Sequence, residues 1–186
     1  MVTLLSIAIV AVIQGAPDPC TVAIPPDLAG ALSPRFPGYS LPAASDNSPG
    51  EVEWDLKRGG DGCMGVANGD YDGDGREDRA VLLTSTEETR NGGHRILLVV
   101  GFQQPAGWSL SVLRNVDYMT RGSAYVATVP AGEYRRTEAM AVPPTEPGEV
   151  EVVRSEVSAV ATGNTEATQV VYVWKGGCWE HVWTSD

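Results

Sequence analysis

The chain has 186 residues, of which 42% are hydrophobic and 20% charged, with 21 glycines and 13 prolines. This composition describes a turn-rich globular protein and excludes a disordered one. Acidic residues outnumber basic ones by 24 to 13, a net charge of −11, so a nucleic-acid backbone or an anionic membrane surface would repel it.

Residues Val2 to Ile13 form an apolar run of twelve, too short to span a bilayer but as long as the core of a secretory signal. The small residues Gly15 and Ala16 each offer a cleavage point. Residues 1–16 are therefore expected to be a signal peptide, with 17–186 left as a single globular domain in the periplasm or outside the cell. No Lys or Arg precedes the run, and the alternative is a buried N-terminal strand or helix. Cys20 follows Asp18-Pro19 rather than the small and aliphatic residues of a lipoprotein signal, so no lipid anchor is expected. In an oxidising compartment two of Cys20, Cys63 and Cys178 would pair and leave the third free. A Cys63–Cys178 bridge would staple the middle of the chain to its end, although spacing alone does not choose among the pairs.

Pro17 to Ser45 is rich in proline and small residues and reads as an irregular segment with one helical turn around Asp27 to Leu32. Ser48-Pro49-Gly50-Glu51 has the form of a capping box with proline at the first helical position, which predicts a short helix to about Arg58. Glu51 and Glu53 near its start and Lys57 and Arg58 near its end suit the helix dipole, and Gly59-Gly60 stops it. Glu51, Glu53, Asp55 and Asp61 read as a solvated face, with Asp61 able to approach the acidic loop that follows.

Beyond that loop the period changes to that of strands. Candidates are Ala80 to Leu83, Arg95 to Phe102, Trp108 to Leu113, Ala124 to Val129, Val150 to Val160, Gln169 to Lys175 and Cys178 to Trp183. Asn91-Gly92-Gly93 supplies one turn and Gly176-Gly177 closes a final hairpin. The expected fold is mainly β, an antiparallel sheet of about six to eight strands with one or two short helices, with an α+β arrangement as the alternative.

The most informative stretch is Asp70-Tyr71-Asp72-Gly73-Asp74-Gly75-Arg76-Glu77-Asp78. Ca²⁺ takes six to eight oxygen ligands, and short side chains spaced by two residues wrap a tight loop around it. Asp70, Asp72, Asp74 and Asp78 would supply carboxylate oxygens and Arg76 its main-chain carbonyl, while Gly75 permits the sharp turn. The twelfth position, where an EF-hand places a bidentate Glu, is Val81, and a strand rather than a helix follows. Asp-x-Asp-x-Asp-Gly with a further Asp and an apolar strand, running from Val66 to Leu82, resembles the calcium loop of FG-GAP and VCBS-type repeats. That resemblance implies that the matching aspartates bind calcium. The loop occurs once, which excludes a propeller or β-helix built from copies of it. The closing segment Val171 to Asp186 also resembles the end of small exported bacterial proteins that carry one such loop.

His94 and His181 lie in no metal-ligand or nucleophile motif. His94 is expected to be a solvated hairpin residue, and His181 to sit on the polar face of the last strand, opposite Trp179 and Trp183. Trp174, Trp179 and Trp183 are expected in the core, with an exposed sugar- or partner-binding patch as the alternative. The reading is an exported protein with a structural Ca²⁺ ion, acting as a non-enzymatic binding module for a protein or glycan partner. The alternative is a calcium-supported hydrolase of a cell-envelope polymer, with carboxylates near the loop as acid and base.

Overall fold

The computed structural model describes residues 16–118, 124–139, 143–165 and 169–184. The leader assigned to 1–16 lies outside the described residues except for Ala16. Two long strands, β3 (Asp78–Glu88) and β4 (His94–Gln104), organise the rest. Side chains alternate across a strand, so Ala80, Leu82, Ile96, Leu98, Val100 and Phe102 face one core while Val81, Leu83, Leu97 and Val99 face another. Burial on both faces explains why Ile96 to Val100 is an unbroken apolar run.

Among the described residues, the named strands pair antiparallel throughout, and an isolated parallel bridge joins Glu149 to His181. The first sheet has the order β1 (Tyr39–Ser40), β3, β4, β5 (Gly107–Tyr118), and β2 (Val66–Gly69) pairs with β3 as well. The second runs β11 (Trp179–Trp183), β10 (Gln169–Trp174), β9 (Ala159–Asn164), β6 (Ala124–Val129). β7 (Gly132–Arg135) and β8 (Val152–Ser155) form a separate ribbon. The two main sheets pack face to face over a shared core in which Ala124, Val126, Val160, Val170 and Tyr172 meet the β3 and β4 residues. The outer face of the first sheet is covered by α1 (Pro19–Ala23) and α2 (Pro26–Arg35) through Cys20, Leu28 and Leu32. The outer face of the second sheet is covered by the ribbon through Val153 and Tyr134. Four layers thus enclose three cores. No described helix is long and apolar enough to cross a membrane.

The mainly β expectation holds, but the described residues contain eleven strands and three α-helices rather than six to eight and one or two. The additional strands β1, β2 and β7 have only two to four residues, too few to show a period. Val150 to Val160 is two strands in different sheets, divided where the Ser155 hydroxyl donates to the Val157 carbonyl at 2.8 Å. The proline-rich start forms two helices because Pro19 and Pro26 sit at first helical positions, where no N–H is needed. Asp18 caps α1 by accepting from the N–H of Cys20 at 2.8 Å. The third helix, α3 (Pro49–Lys57), has the expected capping box: Glu51 N–H donates to Ser48 Oγ at 3.3 Å and Ser48 N–H to Glu51 Oε2 at 2.8 Å.

The disulfide joins Cys20 to Cys63, not Cys63 to Cys178. Both bridged cysteines are buried in the core under α1 and α2, whereas Cys178 is free and exposed at the β10–β11 turn. The tryptophans do pack inward, with the Phe102 ring centroid 4.9 Å from that of Trp174 and 5.7 Å from that of Trp179. His181 corrects the expectation for the last strand. Residues 179, 181 and 183 share a face by the two-residue period, and the imidazole is buried and stacked on Tyr172 at 5.2 Å.

The bridge spans a sequence separation of 43, so replacing Cys20 and Cys63 together by Ala should cost about 4 kcal/mol and lower the melting temperature by about 12 °C. Cys178→Ser should leave it unchanged; a thermal melt of both variants under non-reducing conditions checks this.

Candidate metal centre

Residues 70–77 connect β2 to β3, and the hairpin register pairs Gly69 with Asp78. Gly73 and Gly75, at φ +80° and +83°, supply the left-handed backbone that folds the loop back on itself. Asp70 acts as its hub. One carboxylate oxygen accepts from the N–H of Gly73 at 2.7 Å and of Asp74 at 3.1 Å, and the other from Gly75 at 3.0 Å. Asp72 accepts from Asp74 N–H at 3.2 Å.

Asp78 ends the loop and opens β3, and it is completely buried. One oxygen accepts from Tyr71 N–H and the other from Gln103 N–H, both at 2.9 Å. Burial pushes its pKa up, the two N–H groups oppose this, and Asp72 and Asp74 push it up further, to about 6. A bare buried carboxylate next to other carboxylates is costly.

Oxygen atoms of Asp70, Asp72 and Asp78 lie within 4.8 Å of one another. Two ligands of a single Ca²⁺ ion, each about 2.3–2.6 Å from it, stand at most about 5 Å apart. The three residues therefore fit one such ion. Of the five residues expected as ligands, the structure brings these three together. Asp74 lies outside the group: its carboxylate accepts from Arg76 N–H at 2.8 Å and is ion-paired with the Arg76 guanidinium. Arg76 also donates from Nε to the Gln103 carbonyl at 2.8 Å, which ties the loop to the end of β4. Asp61 does not join the cluster and accepts from Cys63 N–H at 2.9 Å. His94 is half-buried rather than solvated, with Nδ1 2.9 Å from the Ser85 carbonyl oxygen.

Sequence reading missed what the loop holds on its inner side. Tyr71 points into the central core and is nearly fully buried. Its hydroxyl is 2.7 Å from Thr128 Oγ1 on β6, and Thr128 in turn donates to the Asn68 carbonyl at 2.6 Å. An aromatic residue amid four aspartates is the signal that could have revealed this anchor. The loop therefore touches both sheets, through Gln103 on one and Thr128 on the other.

Comparison with protein-family models, with curated proteins and with solved structures gave no match. The likeness to the FG-GAP and VCBS loop rests on the loop residues alone.

Tyr71→Phe should cost about 1 kcal/mol, because it removes one hydrogen bond and keeps the ring. Tyr71→Ala should cost about 3–5 kcal/mol through the cavity left between the sheets. Denaturant unfolding of both variants checks the difference.

Proposed function

We propose that the chain is an exported calcium-binding protein in which a structural Ca²⁺ ion orders the 70–78 loop, and that it works as a non-enzymatic binding or interaction module. The observation that carries the calcium reading is the convergence of Asp70, Asp72 and Asp78 within 4.8 Å around a fully buried Asp78. A divalent cation offsets the repulsion among these groups and replaces the water that Asp78 has lost. Asp70, Asp72 and Asp78 would hold the ion, with Asp74 and the Arg76 carbonyl as the further ligands the loop pattern implies. The ion would act by binding the native state and not the unfolded one. The Cys20–Cys63 bridge supports export, since disulfides persist in oxidising compartments.

A groove of about 690 Å³ between α3, β2 and β6 supports the binding reading. Trp54 and Tyr125 line it with ring centroids 6.2 Å apart, and the Arg58 guanidinium lies 3.9 Å over Trp54. The carboxylates in the same groove argue against an acid–base pair for hydrolysis. Asp55 accepts from Gly62 N–H at 2.9 Å and Asp61 from Cys63 N–H, the roles of turn-forming aspartates.

With Kd near 10⁻⁴ M, as for extracellular calcium modules, 1 mM Ca²⁺ should stabilise the protein by about 1.4 kcal/mol, or about 4 °C in a melt, relative to EGTA. Asp72→Ala should abolish this gain and Asp74→Ala should reduce it less. Equal melting of the wild type with Ca²⁺ and with EGTA would contradict a structural ion.

A further inference from the structure

A second buried polar cluster lies at the opposite edge of the second sheet from β6, where residues 143–150 run along β11 as a strap. His181 N–H donates to the Gly148 carbonyl at 2.8 Å, and Val150 N–H donates to the His181 carbonyl at 2.9 Å. Close approach is built into the sequence at Gly148, whose φ is +83° and where a Cβ would stand 2.6 Å from the Trp179 carbonyl oxygen. The strap is folded around Glu149. That carboxylate is almost fully buried, is ion-paired with the buried Arg136 guanidinium, and accepts from the N–H of Thr145 at 2.8 Å and of Glu146 at 3.1 Å.

The imidazole of His181 lies beneath this strap with only 8% of its side chain exposed. Its Nε2 is buried without a hydrogen-bond partner, and the exposed Glu146 carboxylate stands 3.5 Å away. The charged groups facing it are Glu146 and Glu149 from the strap and Arg114 from β5, with Arg136 behind Glu149 and the Tyr172 ring against its face. A proton on this ring would place a charge where water is excluded, compensated only by the partially solvated Glu146 and by Glu149, which is already paired with Arg136.

We propose that the 143–150 strap is an acid-released latch on the edge of β11, with His181 as the group whose protonation loosens it. Opening gives the imidazolium access to water and breaks the two backbone bonds that hold the strap to His181, freeing that stretch of the β11 edge to pair with another strand, while Thr137 N–H still donates to the Trp183 carbonyl at 2.8 Å. The direction follows from linkage. Burial lowers the His181 pKa below 6.5, outweighing Glu146 and Glu149. The closed strap therefore keeps its full stability above about pH 6.5 and loses it progressively as pH falls from there toward the depressed folded-state value. Glu149, which burial pushes up but Arg136 and the Thr145 and Glu146 N–H groups hold at about 2, stays charged through that range, so its own titration does not open the latch.

Amide hydrogen exchange on the full folded domain tests this, with rates corrected for the intrinsic effect of pH. Protection of the Val150 and His181 amides should fall several-fold between pH 7.5 and pH 5, as the His181 ring takes up its proton. The β10 amides should keep theirs. His181→Phe, which retains the stack on Tyr172, should remove the loss. Glu146→Gln, at an exposed position, should enlarge it by removing the compensating carboxylate. Equal protection at both pH values in the wild type would overturn the proposal, as would an undiminished loss in His181→Phe. Should His181→Phe fail to fold, a loss in Glu146→Gln no larger than in the wild type would overturn it instead.

Discussion

The end of the molecule at which the two sheets meet depends on keeping a charged carboxylate, that of Asp78, where no water reaches it. Asp78 cannot move to the surface, because it is the first residue of β3 and its pairing with Gly69 sets the register of the β2–β3 hairpin. Its two oxygens hold the amide of Tyr71 on one side and of Gln103 on the other. Loop, hairpin and the end of β4 are thereby fixed to one group. Two N–H donors only partly offset the burial, as the upward shift to about 6 shows. A divalent cation shared with Asp70 and Asp72 would remove the remaining imbalance.

From this point the loop acts as a clasp. Tyr71 enters the core that both sheets share, and its hydroxyl reaches Thr128 on the edge strand of the second sheet. The Arg76 guanidinium reaches back to Gln103 on the first. Order in the loop and contact between the sheets are therefore one problem rather than two. The remaining layers are held independently: the N-terminal helices by the disulfide and an aliphatic core, and the β7–β8 ribbon by Val153 and by the Arg136–Glu149 pair beside it. His181 belongs to that second anchorage, far in character from the acidic loop although both rely on buried titratable groups.

Much of this was legible in the sequence, and the failures have physical causes. Ile96 to Val100 announced a strand buried on both faces, Ser48 and Glu51 announced a capped helix, and the spacing of Asp70, Asp72 and Asp78 announced that their carboxylates converge. Asp74 has the same spacing, yet a local competitor, the Arg76 guanidinium two residues on, takes its carboxylate. The disulfide was not legible because pairing follows from which faces the helices cover, and nothing local to Cys20 shows that it lies over the same face as Cys63. Short strands such as β2 offer too few residues for a period to appear, and they are defined by their partners. His181 is a different case, since the two-residue period itself puts it with Trp179 and Trp183; its polar side chain suggested a solvated face that the strap from 143 to 150 in fact covers.

The most direct test of the central claim is anomalous diffraction from a crystal grown or soaked with a calcium-like lanthanide such as Tb³⁺. The account predicts one strong peak about 2.3–2.6 Å from carboxylate oxygens of Asp70, Asp72 and Asp78 together. A map with no peak at that position, and with the three carboxylates held only by the loop's own N–H groups, would contradict it.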